Sequence, residues 1–160
     1  MISLRDEIDI EAPPERVWEW LSHLPENYRA WHPDHVRCQW LRGEPLQVGS
    51  VLYMEEYLHG KLHKLRARTT SAIPGQEVHY RLAPGMSGTF RVTPRTHGTR
   101  FTAELRFGFR RPMLGALADL LLSRLLGSRL ATHKIHMEEE GKNLKQFLES
   151  APGPRTSHDL

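Results

Sequence analysis

The sequence predicts a single α+β domain in which a curved antiparallel sheet wraps around a long C-terminal helix and encloses a cavity. Three observations predict it. Short runs with apolar–polar alternation recur between residues 2 and 109, separated by turns containing Gly or Pro. Residues 112–150 carry apolar side chains at helical spacing. The chain has 160 residues, the size of one domain and enough to bury a core without disulfide or metal staples.

The elements follow in order. Residues 2–10 alternate and are rich in branched side chains, which predicts a first strand. Ala12-Pro13-Pro14-Glu15 is a helix start with proline in the first turn, and Val17, Trp18, Trp20 and Leu21 give helical spacing to about His23. A second short helix is expected over 25–31. Val36, Cys38 and Trp40 alternate with Arg37, Gln39 and Leu41, a second strand. Five further strand-like runs lie at 51–58, 61–72, 77–82, 88–93 and 99–109, divided by Gly60, Pro74-Gly75, Pro84-Gly85 and His97-Gly98. In the last of them Phe101, Ala103, Leu105, Phe107 and Phe109 share one face, and Thr102, Glu104 and Arg106 the other, which marks a sheet with one buried face. The long helix is expected over 112–150, kinked or broken near Gly127. A polar tail at 151–160 is expected to be disordered. The domain is thus 1–150.

Composition narrows the function classes. The net charge of +3 is spread along the chain, and its densest basic run, Arg110-Arg111, is too short for a nucleic-acid footprint. The lone Cys38 permits no internal disulfide and no cysteine-rich metal cage, which suits a reducing cytoplasm. No signal peptide is expected from the N-terminal residues. The most apolar stretch, 112–131, carries Asp119, Arg124 and Arg129, which argues against a membrane span and leaves a surface-lying amphipathic helix as the alternative. A homodimer is compatible with the sequence.

The unusual feature is ten histidines. If His59-Gly60 is a two-residue turn, Leu58 faces Lys61, Glu56 faces His63, Met54 faces Leu65 and Leu52 faces Ala67, all on one face of the sheet. That face is mainly apolar and therefore buried. A carboxylate within it must be paired, hydrogen-bonded or metal-bound. A register slip would send Glu55 inward instead. On the long helix, Ala118, Leu122, Leu125, His136, Glu140, Leu144 and Phe147 fall on one stripe, so His136 and Glu140 point inward one turn apart. The His32-Pro33-Asp34-His35 segment lies at the expected cavity mouth. Together His35 (or His32), Glu56, His136 and Glu140 form a two-His, two-carboxylate set that suits Zn²⁺, and less well Fe²⁺ or Mn²⁺. Each cluster also has a plain structural reading, as a Glu–His pair, a solvated helix face or a polar loop. His63 or His79 is a candidate proton shuttle. Trp40, Tyr80, Phe90 and Phe101 have the parity to wall a ligand site.

The element order resembles the Bet v1-like superfamily, also called START, SRPBCC or polyketide cyclase/dehydrase-like, with its helix-grip fold. Ile8-Asp-Ile-Glu-Ala-Pro-Pro-Glu-Arg-Val-Trp18 looks like its opening strand and helix, and Gly49-Ser-Val51 like its approach to the third strand. More narrowly, Tyr28-Arg-Ala-Trp-His32-Pro-Asp-His35-Val, a later strand glutamate and a helical His-x-x-x-Glu are similar to the zinc-dependent diacetylphloroglucinol hydrolase family. That resemblance implies zinc held by His35, Glu56, His136 and Glu140, Tyr28 in contact with substrate, and cleavage of a carbon–carbon bond between an acyl group and a phenolic ring. The chain is shorter than members of that family, and its His35-to-Glu56 spacing is tighter.

Three functions are therefore expected to compete. One is a zinc hydrolase of a small aromatic or polyketide-like ketone. Another is a metal-free carrier of a hydrophobic small molecule or lipid. The last is a cyclase or aromatase using Glu56 and a histidine as acid and base.

Overall fold

A computed structural model describes residues 1–108 and 115–150, the side chains of 115–126 and Arg129 excepted. The tail at 151–160, the run Arg110-Arg111 and the side chains of Ala118, Leu122 and Leu125 lie outside the described residues. The elements are β1 (Ile2–Ile10), α1 (Pro14–Ser22), α2 (Leu24–Trp31), β2 (His35–Arg42), β3 (Val51–Leu58), β4 (Lys61–Ile73), β5 (Glu77–Ala83), β6 (Met86–Pro94), β7 (Thr99–Phe107) and α3 (Gly115–Ser150). This is the helix-grip arrangement expected from the sequence. The seven strands form one antiparallel sheet in the order β1-β7-β6-β5-β4-β3-β2. The chain runs up and down between neighbours and returns β1 beside β7.

Turn chemistry sets the sheet's register. His59 (φ 53°) and Gly60 (φ 71°) both adopt left-handed backbone, as a two-residue hairpin of the tightest kind requires. The resulting register pairs Leu58 with Lys61, Glu56 with His63, Met54 with Leu65 and Leu52 with Ala67. Leu52, Leu58 and Ala67 are buried, so this is the inner face. Glu55 points away from it and accepts a hydrogen bond from the Tyr53 hydroxyl.

Helix α1 starts at Pro14, whose missing N–H costs nothing in the first turn. It buries Val17, Trp20 and Leu21, and α2 buries Leu24, Tyr28 and Trp31. Burying such side chains contributes roughly 1.5–3 kcal/mol each. Helix α3 is continuous through Gly127, without the break that glycine was expected to make. Its inward stripe runs through His136, Met137, Leu144 and Leu148, all buried. Phe147, assigned to that stripe by the sequence, is 46% exposed with its ring edge toward Trp20. The 3.6-residue repeat carried from Leu144 lands on Leu148 and leaves Phe147 on the flank.

Among the described residues no helix is long and apolar enough to cross a membrane.

Candidate functional site

Between the sheet and α3 lies a cavity of about 580 Å³ with a mainly apolar lining. Its wall includes Trp40, Met54, Leu65, Tyr80 and Phe90 from the strands and Leu130, His133 and Met137 from α3. Tyr28, Glu56, His136 and Glu140 form a polar region of that wall.

Four of the residues singled out by the sequence meet at this region, with His35 buried behind the lining. The Glu140 Oε1 atom is 3.0 Å from His35 Nε2 and 3.6 Å from His136 Nε2. The two Nε2 atoms are 3.3 Å apart, and Glu56 Oε2 is 3.7 Å from that of His35. His35 and His136 are buried.

Each side chain arrives by a different local device. His35 opens β2, opposite Glu56. Simple alternation would set it on the face opposite Cys38 and Trp40, but the register shifts between His35 and Arg37, and this bulge brings His35 inward with them. Its Nδ1 lies 2.8 Å from the Tyr28 carbonyl oxygen. A carbonyl only accepts, so Nδ1 carries a hydrogen, and Nε2 turns to the cluster, where a hydrogen on it donates to Glu140 in the metal-free protein. The ring stacks on that of Tyr28, centroids 3.9 Å apart and nearly parallel. The Tyr28 hydroxyl donates to Glu56 Oε2 at 2.9 Å.

The electrostatics separate the two carboxyls. Burial, and then the charge of Glu140, push Glu56 above the ordinary carboxylate range; His35, Tyr28 and His136 offset only part of this. Glu140 is also buried, which alone would raise it, but the hydrogen bonds and charges of His136 and His35 hold it down at about 2. His136 is desolvated, yet Glu140 and Glu56 draw it above the usual imidazole range. Burial and the Glu56 charge raise the Tyr28 phenol, which keeps it a donor.

His32 sits beside the cluster. Its Nδ1 accepts the backbone N–H of Asp34 at 3.1 Å, so Nε2 carries the hydrogen and lies 2.9 Å from Glu139 Oε2. His32, His35 and His136 nonetheless offer ligand atoms all within 4.8 Å of one another.

The remaining candidates divide. Trp40, Tyr80, Phe90 and His63 line the cavity. Phe101 is buried behind it against Phe90, centroids 5.6 Å apart. His79 is not brought to the site. Val78 and Tyr80 point inward, so strand alternation turns His79 to the outer face, where Thr89 and Glu77 hold it. That leaves His63 as the shuttle candidate facing the cavity.

The sequence reading missed two residues. Trp31 Nε1 donates to the Glu140 carbonyl at 3.0 Å, and Asn143 Nδ2 donates to the Trp31 carbonyl at 2.8 Å. These bonds clamp the end of α2, and with it the His32–His35 segment, to α3. Asn143 lies three residues after Glu140, a spacing that flags a shared helix face, but nothing in the sequence names its partner.

Comparisons with known proteins agree with this architecture. Residues 1–146 match the family described as polyketide cyclase / dehydrase and lipid transport, and the chain belongs to it. No curated protein matches. Among solved structures, a protein from Thermus thermophilus is 20% identical, with 95% of this chain and 100% of that one covered and a TM-score of 0.69. A polyketide-cyclase-like protein from Corynebacterium glutamicum is also 20% identical over 98% and 97%, with a TM-score of 0.60. The di-domain ARO/CYC BexL of the BE-7585A biosynthetic pathway is 16% identical; 94% of this chain covers 51% of that one, with a TM-score of 0.63. At these identities the likeness to solved structures is one of fold.

Proposed function

We propose that the protein takes a hydrophobic, carbonyl-bearing small molecule of aromatic or polyketide type into its cavity and presents the carbonyl to His35, Glu56, His136 and Glu140. The observation that carries this reading is the convergence of those four side chains, with N–O and N–N separations of 3.0–3.7 Å: Glu56, His136 and Glu140 lie on the wall of a mainly apolar cavity, and His35 is buried directly behind them. A plain greasy pocket has no need of it, since buried charges are costly unless paired or metal-bound. Trp40 adds a buried indole N–H without a partner among the described residues. A ligand oxygen would satisfy it.

Two forms of this chemistry are supported by different observations. The family description and the ARO/CYC neighbour support a metal-free binding protein or cyclase. The divergence of the two carboxyls favours the same form, since a Glu56 raised above the carboxylate range beside a Glu140 held low is the kind of arrangement an acid–base pair uses. The donor set supports the other form, a zinc-dependent hydrolase. Two imidazoles and two carboxylates are a good zinc set, and the Tyr28 carbonyl fixes His35 in the tautomer a metal ligand needs. A bound zinc would supply Lewis acidity and make water a nucleophile near neutral pH. In either form, Tyr28 holds Glu56 in place, Trp31 and Asn143 keep His35 against α3, the apolar walls exclude bulk water, and His63 moves a proton at the cavity edge.

The test is turnover of an acyl-phenol such as 2,4-diacetylphloroglucinol, followed by loss of its absorbance with and without chelator. Chelator-sensitive cleavage supports the hydrolase. Tight binding with no cleavage in the presence of zinc supports the binding or cyclase form. Neither binding nor cleavage of this or related aryl ketones contradicts the proposal as a whole.

A further inference from the structure

The cavity is polar at a second place. Lys61 follows the β3–β4 turn and pairs with Leu58, on the same inner face as the Glu56–His63 pair. Lys61, His59, His63 and His133 all contribute to the cavity wall. The His59 and His133 rings meet edge to face at 5.7 Å, joining the turn to α3. The carboxylates that touch the cavity lie elsewhere or are committed. Glu56 and Glu140 belong to the cluster. Glu104 accepts from Ser3 and from both arms of Arg106. Lys61 has no carboxylate partner among the described residues. One end of the cavity thus holds acids paired to imidazoles, and the other offers, among the described residues, an ammonium and the His59 and His133 rings with no acid bonded to them, while His63 stands between the two ends opposite Glu56.

We propose that the β3–β4 end of the cavity is an anion subsite and that the ligand is an aromatic or polyketide-like keto acid, its carbonyl at the four-residue cluster and its carboxylate at Lys61. This rests on the cavity reading given above and names its substrate class. The spacing fits. The Leu58–Lys61 pair lies two residues along the hairpin from Glu56–His63, about 7 Å at a strand's rise per residue. That is close to the span of a benzene ring carrying a carbonyl and a carboxylate in para positions. A lysine at the rim donates to a carboxylate in a charge-assisted bond, and the imidazole edges add donors beside it.

The test compares 4-acetylbenzoic acid with its neutral isostere 4-acetylbenzamide, by calorimetry and by quenching of tryptophan fluorescence. The acid is expected to bind about fivefold tighter than the amide. Lys61→Met should erase that preference and leave the affinity for the amide unchanged, and Lys61→Arg should restore it. Equal binding of acid and amide by the wild type overturns the inference and leaves the cavity reading standing. A preference that survives Lys61→Met places the carboxylate at the cluster and also overturns it. Failure of both probes to bind overturns the inference together with the cavity reading. Lys61 is exposed, so its variants should fold, and a far-UV spectrum checks this.

Discussion

Glu140 is the residue whose removal says most about the cluster. In metal-free protein, Glu140→Gln keeps the shape and removes the charge that lies between His35 and His136. The two histidines hold the Glu140 carboxyl at about 2, against an ordinary 4.5. A depression of that size corresponds to about 3 kcal/mol of folding stability at neutral pH. The direction with pH follows from its sign. A carboxyl depressed on folding stabilises the native state above its unfolded value of 4.5, and that contribution is lost as the pH falls toward 2. Urea unfolding of wild type and variant, both treated with chelator, should therefore differ by about 3 kcal/mol at pH 7 and by less than half of that at pH 3. A difference near zero at pH 7, or one that stays constant between pH 7 and pH 3, would refute the charge pairing deduced for the cluster.

Further outcomes are expected elsewhere in the site. Tyr28→Phe retains the stack on His35 but strips Glu56 of its donor, and should cost about 1–3 kcal/mol in denaturant unfolding; an unchanged midpoint would show that Glu56 finds another partner. Burial first, then the charges of Glu26 and Glu56, push the Cys38 thiol up to about 12. Iodoacetamide at pH 8 should therefore alkylate it at least about a hundredfold more slowly than glutathione, whereas a comparable rate would mean that the thiol is open to solvent. A Cβ added at Gly88 would stand 2.3 Å from the Tyr80 ring. Gly88→Ala should thus push that ring from its place on the wall, lower stability by about 1–3 kcal/mol by calorimetry and weaken binding of aryl ketones. A fully stable Gly88→Ala variant with unchanged binding would show that the ring has room to give.

Much of the fold is legible because its rules are local. Alternation marks the strands, Gly and Pro mark their ends, and the His59-Gly60 turn fixes the hairpin register that sends Glu56, and not Glu55, inward. The helical repeat likewise places His136 and Glu140 on the inner face. What local rules miss are the departures from regular geometry. A bulge after His35 turns that residue to the side its parity forbids. His79 is a different case: regular strand parity sends it outward, and only its chemistry made it a candidate. The clamp from Trp31 to Glu140 and from Asn143 back to Trp31 joins segments 109 and 112 residues apart, and only the packing of α2 on α3 brings them together.

The role of the four-residue cluster as a zinc site is tested most directly by the metal content of protein purified without an affinity tag, measured by plasma mass spectrometry. If the cluster holds zinc, the wild type should carry it stoichiometrically, and the His136→Ala, Glu140→Ala double variant should lose it while retaining its far-UV spectrum. A well-folded wild type that stays free of zinc, iron and manganese even after dialysis against each would contradict the metal form and leave Glu56 and Glu140 as a metal-free acid–base pair.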